Sequence, residues 1–278
     1  MTGRLTVVGL GPGDPATCTP GVTDRLERAT DLVGYGPYLD MVPPPAGRGG
    51  AGPRRHPSDN RVEAERARAA LDLAAGGADV VLVSSGDPGV FAMAAAVMEQ
   101  LDPGGAGDPG GAGDPGAGVP TDPATGPRWA GVEVTVLPGV SAAQAAAARV
   151  GAPLGHDFCV VSLSDNLKPW DVVERRLAAA AAADFVVALY NPASRHRPWQ
   201  LARAAEVLLA HRPPGTPVVL GRDVGRPGEA VTVVALGELA ATPVDMRTVV
   251  IVGSSTTRCF TPPGAATPRV YTPRRYPA

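Results

Sequence analysis

The chain has 278 residues, of which 44% are hydrophobic, 19% charged and 4% aromatic, and its formal net charge is −2. That balance suits one large or two ordinary globular domains, and it supplies neither a basic field for nucleic acid nor the rings for stacking single strands. Cys18, Cys159 and Cys259 lie far apart without paired spacing, which argues against a disulfide framework or a structural zinc site and fits a reducing cytoplasm.

Taken in chain order, Leu5–Leu10 (LTVVGL) reads as a short buried strand stopped by Gly-Pro-Gly. The N-terminus enters this strand with no signal-peptide anatomy, and no apolar run reaches membrane-spanning length. Thr19-Pro20 opens a helix over Val22–Ala29. DLVGY is a second strand, and Val62–Ala75 is an amphipathic helix ended by Gly76-Gly77. ADVVLVSSGDPGVF is a strand running into a tight turn, followed by a helix over Phe91–Leu101. VEVTVLPGVSAAQAAAARVG repeats strand, turn and helix. A second set follows from Asp157: strands DFCVVSLS, DFVVALYNP, PVVLGRDV, EAVTVVALGEL and TVVIVGSS, with helices over Trp170–Ala183 and Leu201–His211. Alternating strands and helices imply an α/β fold. The two sets imply two α/β domains, 1–152 and 153–278, each expected to bind ligands at its strands' C-terminal ends. Between Asp102 and Pro127 the imperfect repeat GAGDPG-GAGDPG has almost no apolar residues. It cannot offset its own ordering entropy, so 102–127 is expected to be a disordered insertion in the first domain.

The polar turns carry the chemistry. GLGPGD follows a strand and precedes a helix, but Asp14 replaces the third glycine of a dinucleotide loop, and Pro12 removes an amide from any phosphate cradle. Ser84-Ser85-Gly86-Asp87-Pro88-Gly89-Val90-Phe91 closes a buried strand. Its glycines permit close backbone approach, Asp87 accepts hydrogen bonds from a ligand or caps the next helix, and Val90 and Phe91 add apolar walls. Such a turn suits an uncharged or cationic nucleoside rather than a polyphosphate. LPGVSA places Ser141 as an N-cap or ligand contact, and Asn191 of LYNP is a turn residue or a ligand hydrogen bonder.

Together, GLGPGD, SSGDPGVF and LPGVSA resemble the tetrapyrrole methylases, two-domain enzymes that use S-adenosylmethionine (SAM) in cobalamin and sirohaem synthesis. VGYGPYLDMV, SLSDNLKPWDVVERRL, LYNPASRHR and VYTPRRY resemble the branch that methylates precorrin-3B at C-17 with ring contraction to precorrin-4. The resemblance covers essentially the whole chain except 102–127 and the loop Pro43–Gly52. It implies a homodimer of paired α/β domains with SAM in an interdomain cleft, acting on a tetrapyrrole, with no metal, nucleic acid or membrane partner. Carried onto this sequence, the cofactor contacts are Pro12, Ser85, Gly86, Asp87, Val90, Ser141, Ala142, Leu189 and Asn191, with a further contact near Asp223–Val224. Methyl transfer asks chiefly for positioning and exclusion of water. Ring contraction also needs acid or base help, for which Asp14, Tyr35, Tyr38 and His56 are the candidates. Arg54, Arg55, Arg195 and Arg197 are candidate forks for the substrate's carboxylates, or solvated arginines in an Arg-rich chain.

Other readings remain open on the sequence. They are a methylase acting on cobalt-factor III at C-17 or on precorrin-4 at C-11, a non-catalytic tetrapyrrole-binding protein, and a nicotinamide-dependent oxidoreductase. The last lacks the third glycine and a convincing ribose-binding acid.

Overall fold

Apolar runs such as LTVV and VVLV cannot face water on either side, so they form the middle of a sheet covered by helices on both faces. In the computed structural model, which describes residues 3–42, 52–59, 62–102, 121–122, 126–194 and 197–276, they lie in the first of two compact units, Met1–Ser141 and Ala142–Ala278.

The first unit runs β1 (Arg4–Gly9), α1 (Pro20–Arg28), β2 (Asp31–Tyr35), α2 (Gly36–Leu39), β3 (Arg54–Ser58), α3 (Glu63–Ala75), β4 (Asp79–Ser84), α4 (Met93–Leu101), β5 (Thr121–Asp122), β6 (Gly126–Pro127) and β7 (Glu133–Leu137). Its main sheet has the order β3-β2-β4-β1-β7 and every pairing is parallel. Leu5, Val7, Val33 and Leu82 pack on one face against Ala67, Ala70, Leu71 and Ala74 of α3 and Met93 and Val97 of α4. Val8, Leu32, Val81 and Val83 pack on the other face with Val22 and Leu26 of α1. Thr19 caps α1, its Oγ1 accepting from the Val22 amide at 3.4 Å, with Pro20 in the first turn. Residues 103–120 and 123–125 of the Gly/Pro insertion lie outside the described residues. Within it, β5 and β6 pair as an antiparallel ladder.

The second unit runs α5 (Ala142–Val150), β8 (Gly151–Ala152), β9 (Phe158–Ser162), α6 (Trp170–Ala182), β10 (Val186–Tyr190), α7 (Gln200–Leu209), β11 (Pro217–Arg222), β12 (Ala230–Ala235), β13 (Thr248–Val252), β14 (Arg258–Phe260) and β15 (Arg269–Tyr271). Its main sheet has the order β12-β11-β13-β10-β9, with only β9 and β10 parallel. Leu177, Leu201 and Leu208 on α6 and α7 cover one face over Val161, Leu189, Val218 and Val250. β8, β14 and β15 form a small separate sheet.

The division falls after Ser141, not after residue 152 as the sequence suggested. The reason is α5, whose alanines pack on the second unit's sheet. A Cβ added to Gly221 of β11 would lie 2.6 Å from Ala146 Cβ, so this strand position admits only glycine beneath the helix.

Candidate active site

In the first unit three turns leave the C-terminal ends of β1, β4 and β7 and meet backbone to backbone. Gly11 N–H donates to Gly86 O at 3.1 Å, and Gly86 N–H donates to Gly11 O at 2.7 Å. Both glycines have positive φ, +75° and +66°, where side chains are disfavoured. A Cβ on Gly9 would lie 2.4 Å from Gly86 O, and one on Gly139 would lie 2.2 Å from the same atom. The close approach that the sequence assigned to a ligand is thus first an approach of the turns to one another.

Asp87 holds the second and third turns together. Its Oδ1 accepts from the Gly89 amide at 2.8 Å, and its Oδ2 from the Gly139 amide at 3.1 Å. It caps its own turn and ties it to β7's turn, rather than capping α4. Ser84, the last residue of β4, has a buried Oγ with no hydrogen-bond partner among the described residues, which leaves it able to bind a ligand. Pro12 is buried, while Ser85 and Val90 are half-buried on the same strand ends. Ser141 is buried immediately before α5. An orphaned hydroxyl, apolar Pro12 and Val90, and no Lys or Arg within these turns suit a nucleoside with a cationic centre better than a polyphosphate.

Asp14 also lies on β1's turn, where its Oδ1 accepts from the Ala16 amide at 2.9 Å and caps a short 3-10 turn over Pro15–Thr17. Tyr35 ends β2 and Tyr38 lies on α2. Their rings meet edge to face with centroids 5.2 Å apart, and both are half-buried. Asp14, Tyr35 and Tyr38 thus share the sheet end that carries the glycine turns.

His56 does not. It sits on β3, and its Nε2 lies 2.8 Å from Oδ1 of Asp31, the first residue of β2. It is therefore turned toward the N-terminal end of the sheet. Arg54 joins the same carboxylate through Nε and Nη2, both at 2.9 Å. Burial pushes the Asp31 carboxyl up, but hydrogen bonds from Arg54, His56 and Thr30 outweigh it and hold the carboxyl at about 2. The cluster pins the polar edge strand β3 to β2. An open hollow of about 520 Å³ borders it, lined by Arg54, His56, Asp72 and apolar residues, at the end of the sheet opposite the turns. Arg55 donates to Leu39 O at 2.8 Å.

In the second unit Tyr190, at the end of β10, accepts from the Ala143 amide at 3.0 Å through its hydroxyl, which brings the start of α5, with Ala142, beside the LYNP turn. Asn191 has φ +54° and donates through Nδ2 to Ser162 Oγ at 2.9 Å, so it forms a left-handed turn braced on β9. Leu189 is fully buried in the core, so a ligand meets it only through its main chain. Arg197 is no solvated fork. It is buried, and its guanidinium donates to Asn191 O at 3.1 Å and Leu163 O at 3.5 Å, holding the turn. Arg195 lies outside the described residues. Asp223 also has positive φ, +48°, and its buried carboxylate lies 3.0 Å from Arg222 and 3.3 Å from Arg247. The residues the sequence reading missed are Tyr190, the Asp87–Gly139 tie and Arg66. Arg66 lies on the buried stripe of α3 with Ala67, Ala70, Leu71 and Ala74, and a charge on an apolar stripe was its signal.

The model of the Tetrapyrrole (Corrin/Porphyrin) Methylases matches residues 4–108 and 105–240. The cobalamin biosynthesis protein CobIJ of Mycobacterium tuberculosis is 51% identical over all of this chain, which spans 49% of that protein, about half its length. A precorrin-3B C(17)-methyltransferase of a Sinorhizobium species is 48% identical over 99% of this chain and 98% of its own length. The crystal structure of the methyltransferase CobJ superposes with a TM-score of 0.81 at 47% identity, covering 98% of this chain and 100% of that one. By the family model matched over most of its length and by these full-length relatives, this chain belongs to the tetrapyrrole methylase family.

Proposed function

We propose that the chain is a SAM-dependent C-methyltransferase that methylates precorrin-3B at C-17 with ring contraction, in cobalamin biosynthesis. The observation that carries this reading is the Asp87-tied cradle of turns, together with 48% identity to the Sinorhizobium enzyme over nearly its full length. In the first unit the proposed donor contacts are Pro12, Ser85, Gly86, Asp87, Val90 and Ser141. In the second they are Ala142, the main chain of Leu189, and Asn191. When bound, the donor supplies an electrophilic methyl on a sulfonium. The turns, tied to one another, would hold that methyl in one orientation toward the acceptor carbon.

At the same sheet end, the Tyr35 and Tyr38 hydroxyls and the second carboxylate oxygen of Asp14 are assigned to the tetrapyrrole, where they hold and move protons at ring substituents during contraction. His56 is left out of this set because it is committed to Asp31 at the other end. Action in the cytoplasm and as a homodimer belongs to the same reading. Three unpaired cysteines support the first, and among the described residues no helix is long and apolar enough to cross a membrane.

The test is incubation of the protein with SAM and oxygenated precorrin-3B, followed by mass and absorption spectra. A gain of one methyl with a shift in the macrocycle absorption is expected. No methyl gain, with S-adenosylhomocysteine still bound, contradicts the substrate assignment, and a gain on the cobalt-containing macrocycle alone would reassign it.

A further inference from the structure

Arg66 is a charged side chain on the buried stripe of α3, only 5% exposed. Among the described residues no carboxylate lies within ion-pair distance of it. Burial pushes its guanidinium down, while Glu63 and the phenols of Tyr38 and Tyr35 push it up. A buried cation without a contact ion pair is costly, and an apolar side chain of similar volume would often be as stable or more so. Core stability therefore does not explain it.

Its hydrogen bonds show what it connects. Nε donates to Ser58 Oγ at 2.7 Å, and Nη2 donates to the Asp59 carbonyl. Ser58 Oγ in turn donates to Gly34 O at 3.3 Å. The hydroxyl thus accepts from Arg66 and passes its one proton to the carbonyl immediately before Tyr35. On its other side Nη1 donates to Met93 Sδ at 3.2 Å, and Met93 is the first residue of α4, the helix that follows the turn over Gly86–Val90. One guanidinium therefore touches the ends of β3 and, through Ser58, β2, and the start of the helix behind the proposed donor turn. A thioether is a weak acceptor, so Nη1 is held by geometry more than by bond strength.

We propose that Arg66 is a positioning residue that fixes the Tyr35–Tyr38 pair relative to the turn over Gly86–Val90. It does so through the relay Arg66–Ser58–Gly34 on one side and Met93 on the other. The inference rests on the methylase reading for its catalytic consequence and on geometry for the relay itself. Only 5% exposed, Arg66 is assigned no contact with substrate or donor. Its loss should leave donor binding intact and misalign the tyrosines.

The experiment compares wild type, Arg66→Met, Arg66→Lys, Ser58→Ala and the double variant Arg66→Met/Ser58→Ala, each checked by thermal unfolding. Arg66→Met keeps side-chain volume, so it is expected to stay folded. Ser58→Ala cuts the relay without removing the charge, which keeps the idea testable if Arg66→Met does not fold. Affinity for S-adenosylhomocysteine is expected to stay within about threefold of wild type. The turnover number with saturating tetrapyrrole should fall about tenfold in Ser58→Ala and more in Arg66→Met, with partial rescue in Arg66→Lys, and the double variant should be no worse than Arg66→Met. Unchanged turnover, additive losses in the double variant, or a loss of donor affinity parallel to turnover would each overturn the proposal.

NMR of ring-labelled tyrosine, which needs no substrate, decides the relay separately. The Tyr35 and Tyr38 signals should shift or broaden in Ser58→Ala, while Tyr271 and Tyr276, in the second unit, stay put. Unchanged Tyr35 and Tyr38 signals refute the relay. Inactive wild type with shifted signals refutes the assigned reaction and leaves the relay standing.

Discussion

Asp87 places both carboxylate oxygens on backbone amides of two different turns. An amide side chain offers one acceptor oxygen where the carboxylate offers two. Asp87→Asn therefore leaves either the Gly89 or the Gly139 amide facing an NH₂ group, a loss of about 1–3 kcal/mol in local order. Calorimetric affinity for S-adenosylhomocysteine should drop by about tenfold or more; wild-type affinity in this variant would show that the tie is irrelevant to the ligand. Asp31 makes a prediction about pH. Its carboxyl is held at about 2, below the ordinary aspartate value of 3.8. A carboxyl depressed by folding contributes stability above its unfolded pKa, and that contribution is lost as pH falls through the folded value. Urea unfolding of wild type should therefore weaken more steeply between about pH 4 and 2 than that of Asp31→Asn, and parallel curves would count against the cluster's role in holding β3.

Among the elements, the three glycine turns matter more than any one side chain. The Cβ of Gly139→Ala would land 2.2 Å from Gly86 O, a backbone atom that cannot swing aside. The variant should lose about 1–3 kcal/mol in chemical unfolding and bind donor more weakly, whereas stability and affinity equal to wild type would mean that the turns are not in mutual contact. The turns were legible because each is a Gly/Pro signal after a branched apolar run, and that pattern reports strand ends directly. What the turns do for each other was not legible, because Gly9, Gly86 and Gly139 are brought together only by the strand order β4-β1-β7. The edge strand β3 was missed for another reason. RRHPS has no apolar alternation and contains Pro57, and among the described residues it pairs with β2 alone, held by the charges on Asp31. His56 illustrates the same limit, since its partner Asp31 is 25 positions away in sequence. Asn191 was readable as a turn residue, but its brace to Ser162 was not.

For the whole molecule, alternation of strands and helices pointed to two α/β domains, as found, yet it did not reveal that the second sheet is mostly antiparallel. After β11 the chain turns directly into β12 without a helix, and a hairpin of that kind has the same apolar signature as a crossover strand. The displaced unit boundary has a similar origin: a helix of small residues such as α5 carries no mark of which sheet it will cover. The proposed function comes down to one chemical event, the transfer of a methyl to C-17 by this chain. The most direct measurement supplies SAM with a ¹³C-labelled methyl and oxygenated precorrin-3B, then reads the product by carbon NMR. A single labelled methyl is expected on the C-17 carbon, accompanied by an unlabelled acetyl group from the extruded ring carbon. A label on any other ring carbon, or a labelled product with the macrocycle uncontracted, would contradict it.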